Sequence, residues 1–343
     1  FHGREDLEAG IIRCVGDADE RFDEDALRIL RAVRFAAQLD FDIEERTAAA
    51  VTGHAANLQA VSRERILTEI TKLICSSHIE RINDIFGLGL APYISEYFDE
   101  IDIKMLHELC CGKIDCEKNC NCSDEENGSA AMHSDSSDIS RESDTEEVPG
   151  DYNRYLTFAE KNAIDEAFDL KETTTANYRF IRFAMLTEGM SEEHIRKMLK
   201  GLKPDNDTLH NTLLLSELLY KPLSADRYCL KNAMAGVSPE LFFCLLRLKL
   251  ISCGTTLYRA RCKGEELSEV FKLYEDISRS REAVYLKELA VNGSDLIACG
   301  IKPGPHFGEL LKRLLDIVHL RPELNTKEKL LQEAPKLQVS ESN

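Results

Sequence analysis

Apolar residues recur at intervals of three and four along most of this chain, and this spacing constrains its fold more than any other feature. Ile66, Ile70, Leu73 and Ile74 would line one face of a helix, and Ser62 stands where a helix N-cap belongs. The same period recurs at 178–186, 192–202, 209–219, 239–250, 265–274 and 307–320. The sequence therefore predicts a mainly α-helical protein.

The best strand candidate is segment 10–16, GIIRCVG, where β-branched residues stand between glycines. One short strand does not make a sheet, so we expect it to belong to a β-containing domain that mostly lies before residue 1. Residue 1 is Phe, and FHGREDLEAG has neither the basic start nor the apolar stretch of a signal peptide. We therefore interpret the chain as truncated at its N-terminus.

The charge balance limits which partners the chain can hold. Its 343 residues carry a net charge of −18, whereas a protein that binds phosphates needs Lys and Arg in excess where it touches them. Any contact with RNA must therefore be local. No apolar run approaches the roughly 18 residues that a membrane span requires, so no membrane contact is expected.

Twelve Cys without a secretory signal are typical of reduced thiols in a cytoplasmic protein. Seven of them stand singly, such as Cys75 and Cys244, and are predicted to fill core positions. The other five crowd into HELCCGKIDCEKNCNC, where thiolates and an imidazole could hold zinc. Because the paired C-x-x-C spacing is missing, we predict no metal and favour a loop of exposed thiols, with zinc as the alternative. The potential ligands are His107, Cys110, Cys111, Cys116, Cys120 and Cys122.

Segment 123–150 breaks the helical pattern, with nine acidic residues, seven Ser and a single Arg. Such a stretch cannot bury enough apolar surface to offset the entropy lost on ordering. We predict a disordered acidic linker, which forms an insert at 109–150 together with its Cys-rich flank.

Segment 21–35, RFDEDALRILRAVRF, carries the most specific chemistry. Asp25, Arg28, Arg31 and Arg34 follow one another at intervals of three, so on a helix they form a stripe beside the apolar face. A carboxylate accepts hydrogen bonds from an amino group, while the planar guanidinium donates to ring nitrogens, carbonyl oxygens or phosphates. Together they can read the edge of a base. The alternative is an ion pair on a solvated face, which the spacing alone favours.

The run GIIRCVGDADERFDEDALRILRAVRFAAQLDFDIE, at 10–44, resembles the motif C and motif D region of class II tRNA nucleotidyltransferases and bacterial poly(A) polymerases. The family's E-D-x-x-R element corresponds to Glu24, Asp25 and Arg28. The resemblance implies that Asp25 and Arg28 pair with the base of incoming CTP or ATP. It also implies that Arg31 and Arg34 contact the nucleotide and that Glu24 has a supporting role.

Two further segments extend the resemblance. VSRERILTEITKLI, at 61–74, is similar to motif E, whose Glu and Arg, here Glu64 and Arg65, buttress the nucleotide-reading helix. Segment 289–331 is similar to the C-terminal portion of bacterial members. The implied fold has a helical neck, body and tail behind a short β remnant of a nucleotidyltransferase head. The predicted ranges are head remnant 1–20, neck 21–108, insert 109–150, body 151–250, tail 251–335 and disordered C-terminus 336–343.

The resemblance implies a CCA-adding enzyme that transfers CMP and AMP from CTP and ATP to the 3′ end of a tRNA. In the family this chemistry belongs to the head domain, where carboxylates hold Mg²⁺. The head would precede Phe1, so we expect no catalytic residue in this chain and no nucleotide addition by it alone. Alternatives are a poly(A) polymerase, a noncatalytic RNA-binding protein, and one subunit of a split enzyme whose catalytic head is a separate chain.

We make specific predictions for two segments of the C-terminal half. In GIKPGPHFGELLKRLL, at 300–315, turn residues precede a helix whose backbone N–H groups could receive a phosphate. An ordinary capped helix fits equally well, and the resemblance favours contact with the tRNA acceptor stem through Lys302, His306, Lys312 and Arg313. Many relatives carry a His-Asp phosphohydrolase pair where this chain has Thr187 and Glu188, so structural packing is predicted there.

Overall fold

The computed structural model describes residues 3–76, 78–104, 175–253, 255–263, 266–301, 304 and 306–339, and helices dominate these ranges. The mainly α-helical prediction is confirmed. The N-terminal part contains α1 (Gly3–Ala9), β1 (Ile11–Ile12), α2 (Ala18–Glu24), α3 (Leu27–Leu39), β2 (Asp42–Ile43), α4 (Glu45–Gly53), α5 (Arg63–Ile74), α6 (Asn83–Gly87) and α7 (Ala91–Ile94). Short 3₁₀ turns lie at Ala55–Ala60, Ile79–Ile82 and Phe98–Glu100.

The C-terminal part is a succession of helices joined by short connections. They are α8 (Thr175–Leu186), α9 (Glu192–Leu202), α10 (Asn206–Leu219), α11 (Arg227–Ala235), α12 (Pro239–Ser252), α13 (Thr256–Arg261), α14 (Leu267–Ser280), α15 (Gly293–Ala298), α16 (Phe307–Leu320) and α17 (Lys327–Val339). Further 3₁₀ turns lie at Leu286–Glu288 and Pro322–Leu324. No helix in the described part of the chain has the length and apolarity needed to cross a membrane.

The segment predicted as one arginine-bearing helix is two helices. α2 ends at Glu24, Asp25 is extended with φ −152° and ψ 99°, and α3 begins at Leu27. The Asp25 carboxylate accepts a hydrogen bond from the Leu27 N–H at 3.2 Å. A short polar side chain that bonds to nearby backbone in this way competes with the helix, which explains the break at this position.

The strand predicted at 10–16 is shorter than expected, and it has a partner that the sequence did not reveal. β1 pairs in parallel with β2, with Ile11 opposite Asp42 and Ile12 opposite Ile43. Gly10 and Gly16 flank β1 with φ of +68° and +87°, a region that other residues rarely adopt. These two turns confine the extended segment to a few residues.

Two hydrophobic cores hold the described helices together. The first runs from α2 to α14 and includes Ile29, Ile70 and Leu246, so neck and body share one core. The second belongs to α15, α16 and α17 and begins at Ala283. The boundary between the two cores therefore lies near residue 283, whereas the sequence predicted that the tail begins at residue 251.

Two local predictions need correction. α17 continues to Val339, so 336–339 is helical rather than disordered, because Leu337 packs on the second core. Of the seven single cysteines, Cys244, Cys253 and Cys262 are buried as predicted. Cys14 and Cys75 are only partly buried, and Cys229 and Cys299, near the ends of two helices, are exposed. The acidic insert lies outside the described residues. So do the potential zinc ligands His107, Cys110, Cys111, Cys116, Cys120 and Cys122.

Candidate nucleotide-template site

Asp25 lies between α2 and α3 with its carboxylate half-buried and held from two sides. Arg65 Nη2, from the first turn of α5, donates to Asp25 Oδ2 at 2.9 Å, and Leu27 N–H donates to Oδ1 at 3.2 Å. Burial acts to raise the pKa of Asp25, but the hydrogen bonds from Arg65 and Leu27 outweigh it and hold the pKa below its ordinary value. At neutral pH the site therefore presents a fixed, ionised acceptor.

Arg28 stands next to Asp25 on the first turn of α3. Its Nη1 donates to Glu24 Oε2 at 2.6 Å and to the Arg21 carbonyl at 3.0 Å. Glu24 also accepts from Arg21, and hydrogen bonds from Arg28 and Arg21 lower its pKa. Glu24 thus supports Arg28 directly. The guanidinium remains partly exposed and keeps further N–H groups for a ligand.

Arg31 is the free cation of the stripe. Its side chain is exposed and forms no ion pair with any residue that the structure describes. Its guanidinium carbon lies 5.9 Å from the centroid of Phe35, one turn further along α3. Phe35 and Leu39 line a cleft of about 560 Å³ together with Leu7 and Val15. The cleft thus adjoins the C-terminal half of α3, and Asp25, Arg28 and Arg31 are not among the residues that line it.

Arg34 differs from the other members of the stripe because it is buried, with 7% of its surface exposed. Its Nε donates to Glu69 Oε2 of α5 at 2.5 Å, and Nη1 also donates to Gln38. The guanidinium carbon lies 3.9 Å from the Phe35 ring centroid. In this arrangement Arg34 ties α3 to α5, which suits a supporting role better than direct contact with a nucleotide.

The family resemblance predicted that Glu64 is the carboxylate of α5 that supports α3, but the carboxylate that contacts α3 is Glu69. Glu64 is exposed and pairs with Lys203 Nζ at 3.3 Å. Glu69 could have been found, because it lies three residues after Ile66 and therefore on the apolar face of α5. A carboxylate on such a face requires a charged or hydrogen-bonding partner.

The predicted tail residues do not form one cluster. Lys302 lies outside the described residues. His306 is the N-cap residue of α16 and packs edge-on against Phe307. Arg313 donates to the Leu337 carbonyl at 3.4 Å, which joins α16 to α17, while Lys312 is exposed. Of the three described residues, Lys312 is the one that presents its charge openly to solvent.

The groups at this candidate site suit recognition of a ligand rather than bond making. An ionised acceptor at Asp25 and guanidinium donors at Arg28 and Arg31 match the donors and acceptors on the edge of a base. Among the described residues, no three or more His, Cys, Asp and Glu side chains lie together as a metal site. These described residues do not offer the clustered carboxylates that Mg²⁺ prefers.

Two family models match this chain. Residues 40–101 match the family described as "Probable RNA and SrmB-binding site of polymerase A". Residues 173–334 match the family described as tRNA nucleotidyltransferase domain 2. Together the two matches cover α5, whose Arg65 donates a hydrogen bond to Asp25, and nearly all the described helices of the C-terminal part.

Curated relatives and solved structures agree with these matches. A CCA-adding enzyme of Ligilactobacillus salivarius is 25% identical over 341 residues, covering 98% of this chain and 66% of the relative. One of Streptococcus thermophilus is 54% identical over 98 residues, covering 28% and 24%. The structure of the Bacillus stearothermophilus CCA-adding enzyme with CTP has the same fold, at TM-score 0.58 and 23% identity, covering 100% of this chain and 69% of that one.

The chain thus spans less than two thirds of the length of these two curated relatives. The two matched regions nevertheless occur in the order that the resemblance implied. The family models and the relatives point the same way: over most of its length this chain is similar to tRNA nucleotidyltransferases, and the relatives named here are CCA-adding enzymes.

Proposed function

We propose that this chain selects the nucleotide and holds the RNA in a CCA-adding enzyme, which adds CMP and AMP to the 3′ end of a tRNA. Asp25 and Arg28 pair with the base of CTP or ATP, and Arg31 contacts the base or its phosphates. Arg34, held by Glu69, keeps α3 in place. The catalytic head, in the same or a separate chain, supplies the metal-dependent transfer.

The observation that carries this proposal is the hydrogen bond from Arg65 to Asp25 across the α3–α5 contact. On a plain solvated face, Asp25 would pair with Arg28, three residues further along the chain. Instead Arg28 is held by Glu24, and Asp25 is held by another helix. Each group is thereby oriented independently, as a rigid pattern for reading a base requires.

Relatives support the choice of substrates. The Bacillus stearothermophilus enzyme was solved with CTP, and a Thermotoga maritima CCA-adding enzyme with tRNA has TM-score 0.51 and 18% identity to this chain. We infer CTP, ATP and tRNA as the ligands here, with the exposed Lys312 as a candidate contact to the acceptor stem. Mg²⁺ bound by the head and a cytoplasmic location stay predictions.

The test is nucleotide addition by the longest form of the protein that its gene encodes. A tRNA lacking its 3′ CCA is incubated with CTP, ATP and magnesium, and addition of two C residues and one A is expected. Asp25→Ala and Arg28→Ala should each lower discrimination between CTP and ATP about ten- to a hundredfold, because each removes part of a paired base contact.

A matched control is Lys272→Ala, which removes an exposed charge on α14 remote from the site. It should leave both rates and selectivity unchanged. Unaltered selectivity in both the Asp25 and the Arg28 variants would remove the assignment. Incorporation of ATP alone by the parent protein would instead identify a poly(A) polymerase.

A further inference from the structure

The first part of the chain and α9 meet in a tight seam. Ser95 Oγ, just after α7, donates to the Met198 carbonyl of α9 at 2.6 Å, and this hydrogen bond is buried. Gly201 lies so close that a Cβ atom there would be 2.4 Å from Ser95 Oγ. Because the two parts touch this closely, α9 has a fixed position beside residues 91–100.

At the outer edge of this seam, Tyr97 organises a basic side chain. Tyr97 adopts φ +62°, which is uncommon for a residue other than glycine. Its ring stacks on His194 of α9 with centroids 4.2 Å apart, and Lys197 Nζ lies 3.4 Å from its hydroxyl. His194 Nδ1 lies 2.5 Å from Glu100 Oε2. Lys197 is thus contacted both by Tyr97 and by Glu193, whose Oε1 lies 2.7 Å from its Nζ.

Lys197 and Lys200 of α9, together with Lys203, which follows the helix as its C-cap residue with φ +53°, form what we call the lysine row. The helix rises about 1.5 Å per residue, so Lys197 and Lys200 are about 4.5 Å apart along its axis. Lys200 is exposed and forms no ion pair among the described residues. The ion pairs of Lys197 and Lys203 are exposed and weak, so a phosphate can displace them.

The lysine row leads to the nucleotide-template site through the first turn of α5. Lys203 pairs with Glu64 at 3.3 Å, and the next residue, Arg65, holds Asp25 at 2.9 Å. A strand whose 3′ end is to reach a base paired with Asp25 arrives next to this turn. The lysine row is therefore placed where the backbone behind that 3′ end would lie.

We propose that the lysine row binds the phosphate backbone of the RNA whose 3′ end is extended, with the Tyr97–His194 stack positioning Lys197. This inference rests on the proposed function, because it uses the site at Asp25 as the end of the strand. A protein of net charge −18 needs a local cluster of cations for such contact. A purely solvated helix face would require neither the stacked ring nor the proximity to Asp25.

The experiment measures RNA binding by the 343-residue chain. A labelled acceptor-stem hairpin without its 3′ CCA is titrated by fluorescence anisotropy at several KCl concentrations. Lys197→Gln with Lys200→Gln should weaken binding about tenfold at 0.1 M salt and reduce the slope of log affinity against log salt by about 1–2. The matched control, Lys272→Gln with Lys336→Gln, removes two exposed charges elsewhere and should change affinity less than about twofold.

The outcomes separate this inference from the proposed function. If the lysine-row variant binds RNA like the control, or if the parent chain binds no RNA, the inference is overturned. Selectivity for CTP and ATP in the Asp25 and Arg28 variants is measured independently and depends on neither result. Weaker RNA binding with a reduced salt slope supports the lysine row even if that selectivity is unchanged.

Discussion

Arg34 and Glu69 form a buried ion pair, and each leaves 7% of its surface exposed. Taking two charges out of water is costly, and their attraction compensates only while both are present. Arg34 also lies over the Phe35 ring, which lines the cleft beside α3. One carboxylate on α5 therefore sets the position of a cation and an aromatic ring on α3.

Glu69→Gln should lower the free energy of unfolding by about 3 kcal/mol, because it leaves the Arg34 guanidinium buried without an anion. Replacing both partners, by Glu69→Leu with Arg34→Met, should cost less than this single change. Urea unfolding of the two variants and the parent measures the difference. If the Glu69→Gln variant had the same free energy of unfolding as the parent, the ion pair would contribute little to stability.

Between elements, the contact of α9 with Ser95 leaves no space for another atom. Gly201 is the residue of α9 that makes this approach possible, since its missing Cβ leaves room for the Ser95 hydroxyl. The same approach aligns α9 with α5 and brings Lys203 to Glu64. A single glycine therefore controls how the lysine row is placed relative to the nucleotide-template site.

Gly201→Ala should destabilise the protein by about 1–3 kcal/mol, since the added methyl group forces Ser95 or the helix to move. The cost should be smaller in a Ser95→Ala background, where the clashing oxygen is absent. Gly53→Ala is the control, because nothing lies within 4 Å of its Cβ position. Thermal unfolding compares these variants, and equal costs in the two backgrounds would contradict the steric explanation.

On the scale of the whole molecule, the two hydrophobic cores are joined by a polar cluster around Glu282. Its carboxylate accepts hydrogen bonds from Arg227 at 2.5 Å and from the fully buried Lys231 of α11. Nearby, His319 of α16 lies 2.7 Å from Asn232 Oδ1 and 3.0 Å from the Val284 carbonyl. Body and tail thus depend on charges as well as on apolar contact.

Hydrogen bonds from Arg227 and then Lys231 outweigh burial and lower the pKa of Glu282 to about 2. Because the folded pKa lies below the unfolded one, the stabilisation is fully present above pH 4.5 and is lost as pH falls toward 2. Glu282→Gln should cost about 3 kcal/mol at pH 7, since Lys231 loses its anion. It should also lack this part of the acid dependence.

Unfolding by urea at pH 7, 4.5 and 3 measures both effects of the Glu282 substitution. The parent should lose stability relative to the Glu282→Gln variant as pH decreases from 4.5 to 3. Burial also lowers the pKa of His319. The stability that is lost when His319 becomes protonated begins to fall at a higher pH, and both proteins share this loss. If the free energy of unfolding of the two proteins changed with pH in the same way, the role of Glu282 would be contradicted.

The sequence by itself determined the elements, because a helical period depends only on residues close in the chain. It predicted helices at 192–202 and 307–320 with the bounds that the structure has. It also singled out Asp25, Arg28 and Arg31, whose spacing is local. It did not reveal β2 or the break at Asp25, where a pairing between distant segments and a side-chain hydrogen bond decide the conformation.

Only the tertiary structure decided which charges stay exposed to solvent and which are buried and stabilise the fold. Arg31 and Arg34 are three residues apart on one helix, yet one is exposed and the other is buried against Glu69. The same holds for Glu64 and Glu69 on α5. Burial and ion pairing depend on which helix packs opposite a residue, and that partner lies tens of residues away in the chain.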